Sequence, residues 1–407
     1  MYLSFFAKLI LLNVVRDWRK NMIACVAIVI GTISLILFGG YIAQIYEGIR
    51  LGSIYSQLGH YQIFSTVQAK ESYAKSLLDA GTTTRIEDTL KSLDEVRLVT
   101  RRIEAQGLVS FGNKSVGVLI FGVEADKDAE ISNAVKVVQG TGLFAGNQSG
   151  ALVGRELMGE LGAKLGDALT ILVTTSEGAI NAVDVKVTGV MDTGAKELNK
   201  RFIKINLPLM QETLLSDAVT NLVVLLDEDR QTPQTDTRIR AAAASVGGGV
   251  EVKSWSDMSD QYHQIVTMFD NIFGFVTVLV VIIIFAAIFN TMTMAVMERV
   301  SELSTIRALG ASRGNLLVMV MSEGLVVGIL AVILGVACGA GIALLINLAN
   351  IKMPTPPGST FSYPLRILLN NNILLLPAAL SLVATVVGGF FPAYRAGKLP
   401  INEAMQR

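Results

Sequence analysis

The sequence predicts a membrane protein with four transmembrane α-helices and a large α+β extracytoplasmic domain inserted between helices 1 and 2. Three observations carry this. Hydrophobic residues make up 51% of the 407 and charged residues only 17%, with a mean hydropathy of +0.52, too apolar for an ordinary soluble enzyme. The apolar residues concentrate in four stretches, 22–43, 272–297, 316–348 and 373–394. Each reaches the roughly 20 residues needed to cross a bilayer. The long segment between the first two carries alternating strand and helix signals instead.

Residues 1–21 alternate apolar and basic side chains. Phe5, Leu9, Leu12 and Val15 fall on one helical face, with Arg16, Arg19 and Lys20 following. This is the pattern of an amphipathic helix on the inner leaflet, or of a frayed start to the first span. The first span is too long for a cleavable signal peptide and no small-residue cleavage site follows it, so a retained helix is expected. Its helical pattern continues through Gln44, Ile45, Ile49 and Ile54 towards Leu58, giving a stalk over 22–58.

The inserted domain spans 59–255. Strands are expected at 61–65, 99–110 and 115–123, the last two joined by a hairpin turn at Phe111-Gly112-Asn113-Lys114. A compact unit follows: a strand at 151–153, a helix at 155–161, a Gly166-Asp167 turn, and strands at 168–174 and 182–190. Strands at 202–206, 222–226 and 250–254 and helices at 85–93, 207–215 and 238–245 complete it. A β-rich insert is expected over about 138–214. Asp126, Asp128 and Glu130 read as a solvated loop, since the spacing and glycine of a calcium loop are missing.

The second stalk and span cover 256–297, with Ser256 as the N-cap candidate. Residues 298–315 form a short charged helix, 316–348 the third span, 349–372 an outer loop, 373–394 the fourth span and 395–407 a tail. The loop contains Met353-Pro-Thr-Pro-Pro-Gly358 and Tyr363-Pro364, which suits a stiff connector, an outer plug or a dimer contact. Gly335, Gly339, Gly341, Gly388 and Gly389 imply close helix packing and assembly of the spans as a pair of subunits.

Basic residues set the orientation. Lys8, Arg16, Arg19 and Lys20 precede the first span, Arg299, Arg307 and Arg313 lie between the second and third, and Arg395, Lys398 and Arg407 follow the fourth. The positive-inside bias puts both termini and the charged helix in the cytoplasm and the large domain in the periplasm or outside the cell.

Several chemistries are excluded or unsupported. Net charge is zero, so nothing global points to nucleic acid. Cys25 and Cys338 sit in apolar runs and read as membrane-embedded small side chains. With two histidines, His60 and His263, no metal site is expected. Ser110 and His60 have no credible triad partner, so no catalytic residue is assigned. The phosphate-loop pattern G-x-x-x-x-G-K-[ST] is missing, so ATP and magnesium, if used, are bound by another polypeptide.

The charged stretch at 297–312 reads MERVSELSTIRALGAS. Glu298 and Glu302 are one turn apart, and Val300, Leu303, Ile306 and Leu309 drift along another face suited to the membrane surface or a partner's groove. Gly310 suits a C-cap, with Arg307 near the negative end of the helix dipole. Glu323 is a carboxylate inside the third span. It either pairs with a basic residue such as Arg299 or Arg313, or serves a proton relay or substrate.

Glu298, Arg299, Glu302, Arg307, Ala308, Leu309, Gly310, Ala311 and Ser312 resemble the stretch after the second membrane helix of FtsX/MacB-like ABC transporter permeases, the type VII or mechanotransmission class. Met321-Ser322-Glu323-Gly324-Leu325, Phe391-Pro392-Ala393-Tyr394-Arg395-Ala396 and Leu399-Pro400-Ile401-Asn402-Glu403-Ala404 are similar to further family stretches, with Met405 where Leu is usual. Leu152-Val153-Gly154-Arg155-Glu156-Leu157 with Leu165-Gly166-Asp167 resembles the family's outer domain. The resemblance implies an inner-membrane permease, not itself an enzyme, coupled through Glu298, Arg299, Glu302, Ile306, Arg307, Leu309, Gly310 and Ser312 to a separate ABC ATPase subunit. It further implies a second permease, as homo- or heterodimer, contact with membrane lipids, and a periplasmic lipoprotein or carrier partner. The cargo class is a lipoprotein, lipid-like molecule, peptide or drug. The alternative is a non-transporting scaffold that regulates a cell-wall hydrolase or a signalling partner.

Overall fold

The computed structural model describes residues 18–67, 76–175, 177–227, 231–247, 249–355 and 357–398. Of the interfacial helix expected over 1–21, residues 1–17 lie outside them, as does the Leu399–Ala404 motif. Two compact units emerge: 1–46 with 265–352 and 364–407, and 47–264 with 353–363.

The first unit is helical. It contains α1 (Trp18–Ser53) as far as Tyr46, α8 (Asp260–Glu298) from Ile265, α9 (Val300–Ala308), α10 (Arg313–Ala349) and α11 (Asn371–Lys398). Helices α1, α8, α10 and α11 are each long and apolar enough to cross a membrane. They pack through small residues. A Cβ at Gly335 would stand 2.8 Å from Thr32 Cβ, and one at Gly388 3.0 Å from the Phe285 carbonyl oxygen. Gly339 approaches Ile36, whereas Gly341 faces open space. Thr32 Oγ1 donates to Ser381 Oγ across α1 and α11 at 2.9 Å, both side chains buried. Large apolar side chains point outward instead: Phe275 is 66% exposed, and Ile282, Ile283, Leu334 and Leu345 are exposed with it. Close backbone approach through small residues, with bulky residues outside, is the packing of helices in lipid.

The second unit is built on one ten-stranded sheet of β1 (Tyr61–Ser65), β2 (Val96–Phe111), β3 (Lys114–Val123), β4 (Lys136–Gly140), β5 (Gly150–Gly154), β6 (Ala168–Thr174), β7 (Ile180–Asp192), β8 (Phe202–Asn206), β9 (Asn221–Leu226) and β10 (Val250–Ser254). The order is β10-β1-β9-β2-β3-β8-β5-β7-β4, with β6 pairing β2 and β7. Segment 138–214, expected as an insert, contributes its strands to this same sheet through the β3–β8 and β2–β6 pairings. Helices α2 (Ala80–Lys91), α3 (Ala125–Ile131), α4 (Arg155–Leu161), α5 (Lys196–Asn199), α6 (Leu207–Leu214) and α7 (Pro233–Ser245) connect or cover it. The core is a continuous cluster of Val, Ile and Leu from both halves of the sheet, Ile63, Val99, Ile103, Ile120, Val153 and Ile171 among them. At the Gly112-Asn113 turn Gly112 adopts φ +59°, the left-handed conformation glycine allows at no steric cost.

Both stalks are helical. The first continues to Ser53 and passes into a π-helical turn, Ile54–Leu58, that Gly59 closes by donating its N–H to the Ile54 carbonyl. The second begins later than expected. Residues after Trp255 form turns, and α8 starts at Asp260. Ser256 therefore does not cap it; its Oγ meets His263 Nε2 at 3.2 Å.

The acidic run at 126–130 departs most from expectation. It is the short helix α3, and Asp128 is buried in it. Lys204 Nζ from β8 donates to Asp128 Oδ2 and to Ser132 Oγ, each at 2.6 Å, and Arg102 Nη2 lies 3.7 Å from Asp128 Oδ1. Arg102 Nη1 also donates to the Gln57 carbonyl, so this centre holds the end of the π turn. Burial alone would raise the Asp128 carboxyl, but Lys204 and Arg102 overcome it and hold it below the ordinary carboxylate range. His60 is likewise structural: its Nδ1 accepts the Leu226 N–H at 3.2 Å.

Candidate coupling site

The charged stretch folds as a corner between two long helices. Helix α8 ends at Glu298, Arg299 breaks it with φ −105° and ψ 18°, and α9 runs Val300–Ala308. The end of α9 is a Schellman motif: Gly310 N–H donates to the Arg307 carbonyl at 3.0 Å and Ala311 N–H to the Ile306 carbonyl at 3.3 Å. Gly310 takes φ +102°, which a side chain would strain. Two residues on, Ser312 caps α10 by accepting the Asn315 N–H at 3.1 Å. The run Arg307-Ala-Leu-Gly-Ala-Ser312 is thus a stop signal joined to a start signal, which fixes the turn between α9 and α10.

Burial divides α9 into two faces. Leu303 is 2% exposed and packs in one cluster with Leu316 and Val320 of α10 and Ala393 and Ala396 of α11; Ile306 packs against this cluster. Of the apolar face expected to meet the membrane or a partner, Leu303 therefore faces its own bundle, while Leu309 is 85% exposed. Glu298, Ser301, Glu302, Thr305, Ala308 and Leu309 are exposed, and their spacing of three and four residues makes one continuous face. Arg307 is half-buried.

Arg299 is the hinge pin of the corner. Its Nε donates to Glu302 Oε2 at 3.0 Å and its Nη1 to Glu323 Oε2 at 2.8 Å. The Arg299 side chain is 12% exposed and that of Glu323 14%. Glu323 therefore has the structural partner that the sequence allowed, and Arg299 rather than Arg313 supplies it. The pair locks the start of α9 to the third turn of α10. An apolar groove of about 240 Å³ opens beside it between α10 and α11, lined by Leu317, Met321, Gly324, Leu325, Thr385 and Gly389. Among the described residues no group of three His, Cys, Asp or Glu could hold a metal ion. Cys25 and Cys338 carry free thiols.

A second polar centre was not legible in the sequence. Asp192, at the end of β7, is fully buried. Its Oδ1 accepts from the Gly194 N–H at 3.0 Å, from Asn199 Nδ2 at 3.0 Å and from the Thr360 hydroxyl at 2.5 Å, and Arg155 Nη1 stands 2.9 Å from Oδ2. The Asp-Thr-Gly turn at 192–194 was the available signal, but nothing in it identifies Thr360 as a partner.

Two family models match: the MacB-like periplasmic core domain over residues 22–242 and the FtsX-like permease C-terminal domain over 274–401. The chain belongs to the FtsX/MacB/LolC family of ABC transporter permeases. It is 34% identical over 142 residues to the ABC transporter permease YtrF of Bacillus subtilis, spanning 33% of this chain and 31% of that one. It is 24% identical over 334 residues to the lipoprotein-releasing system transmembrane protein LolC of Xylella fastidiosa, covering 75% of this chain and 76% of that one. The macrolide export ATP-binding/permease protein MacB of Bdellovibrio bacteriovorus is 23% identical, over 63% of this chain and 38% of that one. The chain thus spans only about a third of the length of the YtrF and MacB relatives it matches. The periplasmic region of MacB from Actinobacillus actinomycetemcomitans superposes with a TM-score of 0.37 at 14% identity, over 52% of this chain and 94% of that one.

Proposed function

We propose that this permease carries ATP-driven motion from an ABC ATPase, a separate subunit that binds ATP and magnesium, into the domain between its first two spans. The exposed face of the corner carries the reading: Glu298 at the end of α8, Ser301, Glu302 and Thr305 of α9 and Leu309 just after it present charge and one bare leucine, while the other side of α9 is anchored by Leu303 and by the Arg299–Glu323 pair. A helix fixed on one side transmits a push instead of absorbing it. Arg299, Ile306, Gly310 and Ser312 hold its position, and Glu298, Glu302 and Arg307 supply the charge an ATPase surface would grip.

The permease works as one of a pair in the inner membrane, both termini cytosolic, following the basic residues beside the spans. Its second subunit is a copy or a homologue. The cargo is drawn from the outer leaflet or the outer compartment, and a lipoprotein or lipid-like molecule fits best. The relatives covering most of this chain are named for lipoprotein release, and another is named for macrolide export. A periplasmic carrier would receive such a cargo.

Replacing Glu302 and Arg307 together with alanine tests this. The Arg299–Glu302 pair that this breaks is partly exposed, and losing such a pair costs about 1 kcal/mol or less. The variant is expected to fold, yet to lose ATPase association and stimulation. Intact stimulation by the folded variant would remove α9 from the coupling role.

A further inference from the structure

The loop between α10 and α11 is anchored at both ends. Near the helices, Asn347 holds the Ile367 backbone in both directions, with its Nδ2 donating to the carbonyl at 2.9 Å and its Oδ1 accepting the N–H at 2.8 Å. Leu368 N–H donates to the Gly40 carbonyl of α1 at 3.0 Å, and a Cβ at Gly40 would meet Leu368 O at 2.6 Å. Further along, Leu365 N–H donates to the Ile351 carbonyl and Met353 N–H to the Tyr363 carbonyl, so the loop closes as a short ladder at its base.

The tip of the loop, 353–363, belongs to the sheet-bearing unit. It docks on the turn between β7 and α5. Thr360 N–H donates to the Gly194 carbonyl and Lys196 N–H to the Gly358 carbonyl, each at 2.9 Å, framing Ala195 and Ser359 as a directly opposed antiparallel pair. Ser359 Oγ donates to Gly194 O at 3.1 Å. Phe361 covers Gly194, where an added Cβ would approach its ring at 3.3 Å, and Lys136 Nζ lies 4.5 Å above the same ring. The Thr360 hydroxyl completes the buried shell of Asp192. A plain connector would not place its only threonine in this stretch beyond Thr355 on a buried carboxylate, nor thread two main-chain hydrogen bonds around it.

We propose that this loop is a third mechanical connection to the sheet-bearing domain, and that Asp192 is the positioning residue that holds it, so that movement of α10 and α11 acts on the β7–α5 turn as well as through the two stalks. The inference rests on the mechanical reading above. The stalks deliver force at β1 and after β10, at one end of the sheet order, whereas the strap delivers it at β7, near the other end. Force applied at two separated strands of one sheet turns the sheet; force applied at one end alone drags it.

The test uses the full chain with its ATPase in lipid nanodiscs, with Cys25 and Cys338 replaced by serine. Ala195→Cys with Ser359→Cys places cysteines at a non-hydrogen-bonded antiparallel pair, where side chains lie closest, and the disulfide is expected to form on mild oxidation. Thr360→Val removes one hydrogen bond to a charged acceptor and leaves the other partners of Asp192 in place. The loss is expected to shift the docked-to-undocked ratio by about tenfold or more. The readout is the ATP-dependent change in amide exchange at 192–199. It should be present in the parent, lost in Thr360→Val and restored in Thr360→Ser, with ATPase binding equal in all three. Failure of the disulfide to form, no ATP-dependent change in the parent, or an unaltered change in Thr360→Val would each overturn the strap. If Glu302→Ala with Arg307→Ala leaves that change intact while Thr360→Val abolishes it, the coupling role of α9 fails and the strap stands.

Discussion

The two units of this chain solve opposite packing problems with the same twenty residues. In the sheet-bearing unit, Val, Ile and Leu fill the interior, and charges that enter are paired: Lys204 with Asp128, Arg155 with Asp192. In the helical unit, many bulky residues such as Phe275, Ile283 and Leu334 point outward, and Gly335, Gly388, Thr32 and Ser381 meet inside, beside a smaller apolar cluster that includes Ile28, Ile284 and Leu316. Water drives the first arrangement by expelling apolar surface. Lipid offers no such force between helices, so close backbone contact and shape decide the second. The comparison teaches that each unit is intelligible only in its own solvent, and that damage to each takes a different form.

The largest expected effect is in the sheet-bearing unit. Asp128→Leu leaves the buried cations Lys204 and Arg102 without the carboxylate they share and should destabilise that unit by about 3–5 kcal/mol, as breaking a buried pair does. Chemical denaturation followed by intrinsic fluorescence or circular dichroism checks it. Replacing Lys204 by methionine as well should recover part of the loss, because it removes one of the two orphaned charges that set the cost.

A smaller effect is expected in the helical unit, and from adding atoms instead of removing charge. Gly335→Leu would drive a side chain into Thr32 and the Val29 carbonyl. Overpacking of this kind costs about 1–3 kcal/mol, and it should lower the melting temperature of the detergent-solubilised chain. The same substitution at Gly341, which faces open space, should leave it unchanged. Equal sensitivity at both positions would break the contrast between the two units.

The smallest effect is one of pH. Burial would raise the Asp192 carboxyl, but hydrogen bonds from Thr360, Asn199 and the Gly194 N–H, with the charge of Arg155, hold it below the ordinary carboxylate range. A depressed value in the folded state means that the stabilisation is complete above the unfolded value of about 4 and is lost as pH falls from there through the folded value. Protection of 353–363 against amide exchange should therefore be constant at neutral pH and decline below about pH 4. In Asp192→Asn that decline should vanish.

The sequence made local features legible and left long-range pairings unreadable. The strand at 168–174 and the helix Arg155–Leu161 follow from alternation and turn residues, and the four spans from length and apolarity. The Gly310 stop was visible because a C-cap glycine is a local signal. Asp128 was not, since its lysine lies 76 residues away. Thr360 was not, since its carboxylate lies 168 residues away. Strand β4 escaped notice because it is a mostly exposed edge with no clean alternation. In the candidate site, the charges were readable, but only folding could show that Leu303 turns inward while Leu309 stays bare.

The inward and outward faces of α9 provide the most direct measurement. A photo-reactive amino acid is installed at Thr305, on the exposed face, and separately at Leu303, which is buried in the bundle. Membranes containing the permease and its ATPase are then irradiated. The account predicts a cross-linked permease–ATPase product from position 305 and none from position 303. No product from 305, or equal products from both positions, would contradict it.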